Sequence, residues 1–158
     1  MIFRHGFTYT ELIVIMGLIL SLLAFTAINL SRPQISASIS STSTQLIADL
    51  RAQQQQTMSG STNNAGQISS FGIYFEPHQY TLFRGSSYSP TDGENFVTTV
   101  SSPLSLSSTF PGSVVVFTPL SGEIAGYTSG FDTVTLSHSE SPDTRVIQLN
   151  RYGVVTEY

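Results

Sequence analysis

The stretch GFTYTELIVIMGLILSLLAF, Gly6 to Phe25, decides how the rest of the chain is read. Glu11 stands at the head of a run that carries no further charge until Arg32. At 1.5 Å per residue, about twenty helical residues cross the hydrocarbon core of a bilayer, so Leu12 to Leu30 predicts one membrane-spanning helix. A carboxylate at the edge of such a helix is costly, and an ionisable residue there points to a function and to a partner that meets its charge. The plain alternative is an interfacial glutamate reaching into lipid headgroups. A secretory signal peptide is a second alternative, with a basic start, about 7 to 15 apolar residues and a small-residue cleavage site. The run here is longer, Ala24-Phe25-Thr26 matches such a site poorly, and Glu11 is out of place after Arg4.

Composition narrows the remaining classes. The basic residues are six arginines with no lysine, set against ten acidic residues for a net charge of −4. The arginines are scattered, which leaves no basic footprint for nucleic acid. Cysteine is absent, which excludes a disulfide framework, a thiolate zinc site and a catalytic thiol. Residues 61–158 are enough for one modest hydrophobic core and too few for two, so one globular domain on a stalk is expected.

Upstream of the run lies a very short leader, MIFRHG, ending in Gly6 and followed by Phe7, Thr8 and Glu11. This arrangement resembles the class III signal of type IV prepilins and type II secretion pseudopilins. The resemblance implies cleavage between Gly6 and Phe7, N-methylation of Phe7, and an assembly role for Glu11 against the Phe7 amine of a neighbouring subunit. It implies as partners the prepilin peptidase/N-methyltransferase, other pseudopilins or pilins, an inner-membrane assembly platform, and membrane lipid before assembly. The implied location is the inner membrane, single-pass with the head on the outer side, and then a filament. The residue types suit these roles. Gly6 offers no side chain to obstruct a protease, a new α-amino group titrating near ~8 would be positive, and a glutamate in the first helical turn gains up to about 1 kcal/mol from the helix dipole.

Beyond the run, Arg32-Pro33 predicts a kink at Pro33, because proline removes a helix hydrogen bond and restricts the residue before it. Ile35, Ile39, Leu46 and Leu50 then recur near the helical repeat as far as Thr57 or Met58, and Gly60 ends the pattern. One long kinked helix from Phe7 to about Ser59 is expected, with a flexible Ser/Thr/Gln linker as the alternative for its second half. From Ile68 the pattern becomes strands separated by turn residues. They are Phe71 to Phe75, Tyr80 to Phe83, Phe96 to Val100, Val114 to Phe117 (continuously apolar and so expected to be buried on both faces), Val134 to Leu136, Val146 to Leu149, and Val154 to Tyr158 as a closing hairpin. Ser86 to Asn95 reads as a polar loop.

The expected fold is therefore α+β. Residues 1–6 form a leader, 7–30 a transmembrane and filament-core helix, 31–60 its amphipathic continuation, and 61–158 an antiparallel β-sheet head like that of the pilins. Helix before β-rich head resembles the GspH/FimT-like branch, to which Phe117-Thr118-Pro119, Ser121-Gly122 and Val146 to Val154 with its Gly153 turn add weaker matches. An aspartate-rich C-terminal loop and a cysteine pair are both missing, which favours a minor subunit.

Other constellations have plainer readings. Asp92, Glu94 and Asp132 would supply calcium oxygens, but their spacing suits ordinary solvated turns better. His78 and His138 have no metal-ligand spacing. Gly126-Tyr127-Thr128-Ser129-Gly130 approaches a nucleophile elbow but centres on threonine. Gly17 and Ser21 have the small-xxx-small spacing of close helix contacts. No catalytic residue, metal or cofactor is expected. The function implied is that of a structural minor subunit of a type II secretion pseudopilus or type IV pilus-like filament; the rivals are a tip module binding DNA or an exported substrate, and a tethered enzyme.

Overall fold

The computed structural model describes residue 6, residues 8–62 and residues 66–158, with side chains for all of these except 25–34. Phe7 therefore lies outside the described residues, as do the leader before Gly6 and the side chain and expected kink of Pro33. The chain divides into two compact units, Met1–Ser36 and Ala37–Tyr158.

Helix α1 runs Tyr9–Met58. Among the described residues no helix is long and apolar enough to cross a membrane. The apolar stretch with described side chains, 9–24, covers about 24 Å at 1.5 Å per residue against a core of about 30 Å, and it includes Thr10 and Glu11. The stretch 35–58 is longer but rich in Ser, Thr and Gln. This overturns the expected transmembrane half of the fold, and with it the expected single-pass placement in the inner membrane.

In the second unit α1 buries Ile39, Ser43, Leu46, Leu50, Gln53 and Thr57. Their alternating spacing of four and three residues keeps one stripe facing the same way along the helix. Half of that stripe is polar and invisible to an apolar count. Ser43 Oγ donates to Glu157 Oε1 at 2.6 Å, and Thr57 Oγ1 donates to the Gln53 carbonyl at 2.8 Å.

The head is two four-stranded antiparallel sheets rather than the one sheet expected. The first has the order β3-β2-β1-β5, built from β1 (Phe71–Glu76), β2 (Gln79–Arg84), β3 (Phe96–Thr99) and β5 (Val114–Phe117). The second has the order β4-β6-β7-β8, built from β4 (Leu104–Ser108), β6 (Thr133–His138), β7 (Ser141–Leu149) and β8 (Val155–Glu157). Cross-strand pairs Phe75↔Tyr80, Ile73↔Val115 and Phe71↔Phe117 put five buried side chains and the buried Tyr80 on one face. Tyr80 reaches α1, its hydroxyl donating to Asp49 Oδ2 at 2.5 Å. In the second sheet Leu106↔Leu136, Val134↔Ile147 and Ile147↔Glu157 share a face, and Glu157 meets Ser43 there. Helix α1 of this unit is thus bonded to both sheets.

Strand β5 is an outer strand, with Val115 and Phe117 buried and Val114 and Val116 half-buried, so its expected burial on both faces is not found. On the opposite face of the first sheet Tyr88, from the 85–95 connection, stacks on Tyr74 with ring centroids 4.2 Å apart. Gly72 lies under the Phe83 ring, where a Cβ would fall 2.6 Å from both Phe83 Cζ and the Val115 carbonyl. Only glycine lets β1 and β5 pair beneath that ring.

Candidate functional site

The first turn of α1 begins with Thr8, whose carbonyl accepts from the Leu12 N–H at 3.2 Å. Thr8 Oγ1 accepts from the Glu11 N–H at 3.3 Å, and Glu11 Oε2 accepts in return from the Thr8 N–H at 3.5 Å. This is a capping box, in which two otherwise orphaned helix donors are satisfied reciprocally. Both bonds are at the long end of hydrogen-bond geometry, so they are weak. Glu11 thus has a local partner in its own chain, and Thr8-x-x-Glu11 is the spacing in the sequence that marks such a cap. Its exposed carboxylate is held loosely enough to exchange that amide for another donor.

From Leu12 to Leu23 every large apolar side chain is exposed, from 41 % at Ile15 to 66 % at Leu20. The exposure follows no stripe. A helix apolar all round is one that belongs inside something, and the large apolar side chains of this one are exposed. Gly17 has open space where a Cβ would stand, and Ser21 Oγ donates to the Leu18 carbonyl at 2.8 Å, which turns its polar atom back onto the helix. Gly6 is exposed, with nothing within reach of a Cβ.

The other candidates are not brought together. Asp92 Oδ1 accepts from the Glu94 N–H at 3.0 Å, closing a local turn, and Glu94 pairs with Arg84 at 3.0 Å. Asp132 is buried at the start of β6, where its Oδ2 accepts from Tyr127 Oη at 2.9 Å and Gln148 Nε2 at 3.2 Å. That hydrogen bond to Asp132 holds the Tyr127 phenol above its usual range. Among the described residues no group of three His, Cys, Asp or Glu side chains would hold a metal. His78 Nδ1 lies 3.2 Å from the Leu104 carbonyl, and buried His138 accepts from the Glu140 N–H at 3.1 Å. Thr128 Oγ1 donates to the Gly126 carbonyl at 3.4 Å, so the hydroxyl at the centre of the elbow-like stretch serves a turn.

No family model, curated protein or solved structure matches the chain.

Proposed function

We propose that the chain is a structural, non-enzymatic subunit of a pseudopilin- or pilin-like filament, of the kind used in type II secretion or built as a type IV pilus. Its short leader is removed after Gly6 by a prepilin peptidase, Phe7 becomes the N-methylated terminus, and the apolar part of α1 packs against other subunits. The observation that carries this reading is the stretch from Leu12 to Leu23, apolar on every side and exposed. Burying one such side chain contributes about 1.5–3 kcal/mol, so several together supply a strong drive to assemble. Glu11 is held by weak bonds to Thr8, and a charged amine on the neighbouring subunit is a stronger donor than that backbone amide.

Intact-mass measurement with N-terminal sequencing tests the reading. The expected mature chain starts at Phe7 and carries an added methyl group. A protein that still begins at Met1 under conditions of filament assembly would overturn it.

A further inference from the structure

Gln53 and Gln54 are neighbours on α1 with opposite fates. Gln54 Nε2 donates to the Gly122 carbonyl at 3.0 Å and to the Tyr152 carbonyl at 2.8 Å. Gln53 is only 6 % exposed, yet its buried Oε1 finds no hydrogen-bond partner among the described residues. A buried acceptor left unpaired costs the folded state the hydration it gave up, and native proteins leave few such atoms. Arg84 Nε is a second orphan, this time a buried donor. Arg84 is otherwise held firmly. Its Nη1 pairs with Glu94 Oε2 at 3.0 Å, and its guanidinium carbon lies 5.4 Å from the centroid of the Phe71 ring.

Both residues line one cavity, of about 370 Å³, between α1 and the first sheet. That volume falls within the range of small-molecule sites. The pairings Phe71↔Arg84 and Leu82↔Phe96 assemble its sheet wall. Phe71, Leu82 and Phe96 make that wall apolar, with Phe96 itself largely exposed. The other buried side-chain atoms left unpaired, on Thr81, Asn95 and Thr98, belong to residues outside this lining. The cavity therefore combines an unused acceptor, an unused donor and an apolar wall.

We propose that this cavity is a binding site for a neutral amide that carries an adjoining apolar or aromatic group. An amide offers an N–H to Gln53 Oε1 and a carbonyl to Arg84 Nε–H from a single planar group, and its apolar neighbour lies against Phe71, Leu82 and Phe96. A carboxylate brings acceptors only, leaves Gln53 Oε1 unpaired and adds charge beside Glu94. An ammonium brings donors only and adds charge beside Arg84. Because Arg84 and Glu94 already neutralise each other, a neutral ligand suits the site better than either ion. Such an amide comes from a residue of a peptide chain or from a small free molecule. Its binding here is independent of the filament reading.

NMR titration of the full-length chain with phenylacetamide tests the site. The side-chain resonances of Gln53 and Arg84 Nε–H should move together, with a dissociation constant on the order of 1 mM for so small a probe. Phenylacetate should bind about tenfold more weakly or worse. N-acetylphenylalanine amide distinguishes the sources: binding at least as tight as phenylacetamide marks a peptide ligand, and weaker binding marks a small free amide. Resonances that stay still with both amides would show that water alone fills the cavity, and phenylacetate binding as tightly as the amide would show a wall of donors only; either overturns the proposal. Gln53→Met should leave the melting temperature unchanged or raise it, since it removes an unpaired oxygen, and should weaken amide binding about tenfold. A lower melting temperature would show the carboxamide bonded within its own chain and would overturn the proposal. Phe96→Ala, at an exposed side chain, should keep the fold and weaken binding by about threefold or more. Unchanged binding in that variant would place the amide elsewhere and overturn the site.

Discussion

Two stretches of the same helix obey opposite rules. Between Leu12 and Leu23 almost every residue is apolar and all the large ones are exposed; between Ile39 and Thr57 the sequence is largely polar, yet one stripe is completely covered. Hydropathy therefore does not say which half is packed. What decides it is whether the two sheets of the head offer a face at the right register. They do so for the second stretch, down to polar contacts such as Ser43 with Glu157. The first stretch is apolar, and its large side chains are exposed.

The sharpest way to break this contrast is to truncate one leucine from each stretch. Leu46, fully buried, should cost about 2–5 kcal/mol as Leu46→Ala, measured by denaturant unfolding of the head. Leu18, well exposed, should change the same transition by less than about 0.5 kcal/mol as Leu18→Ala and show its effect only in assembly. Equal costs would mean that the first stretch is packed after all.

Gly153→Ala probes how tightly the covered stretch is held. The glycine sits at φ 72°, and a Cβ there would collide with the Gln54 carboxamide. A loss of about 1–3 kcal/mol in the same unfolding experiment is expected. Tyr80→Phe removes the bond to Asp49 and should cost about 1 kcal/mol near neutral pH. Burial first, and then the Asp49 carboxylate, hold the Tyr80 phenol well above its ordinary value of 10.0. The native state keeps a proton that the unfolded chain releases, so stability is fully present below about pH 10 and falls as pH rises further. Stability measured from pH 8 to 11 should show this decline in the wild type and a shallower one in Tyr80→Phe.

The smallest effect belongs to the exposed end. Glu11→Ala opens the capping box and should cost the first helical turn about 0.5–1 kcal/mol or less, given bonds this long. The unfolding transition of the head should not move. Filament incorporation, followed by fractionation and crosslinking, should fail; normal incorporation would reduce Glu11 to a helix cap.

The strands were legible where alternation was clean. Phe71, Ile73 and Phe75 alternate along β1, and Asn150 to Gly153 mark the turn that joins β7 to β8. Strand β4 was not read, although Leu104-Ser-Leu106 alternates as well, because serine on both sides made it look like loop. Ser43, Gln53 and Thr57 escaped for a related reason, since their burial depends on partners far along the chain. The division into two sheets was out of reach, being a matter of which strand finds which edge. At the candidate site, the apolar run and Glu11 stood out at once. The bond between Glu11 and Thr8 was overlooked because a charge beside a long apolar run invites a distant partner before a near one.

Gln54 has a consequence best put in mechanical terms. Its single carboxamide is fastened at the Gly122 carbonyl just beyond a strand of the first sheet and at the Tyr152 carbonyl between two strands of the second. Helix and sheets are riveted at one point through three pieces of chain. A pull on this part of α1 would therefore reach segments attached to both sheets through the same side chain.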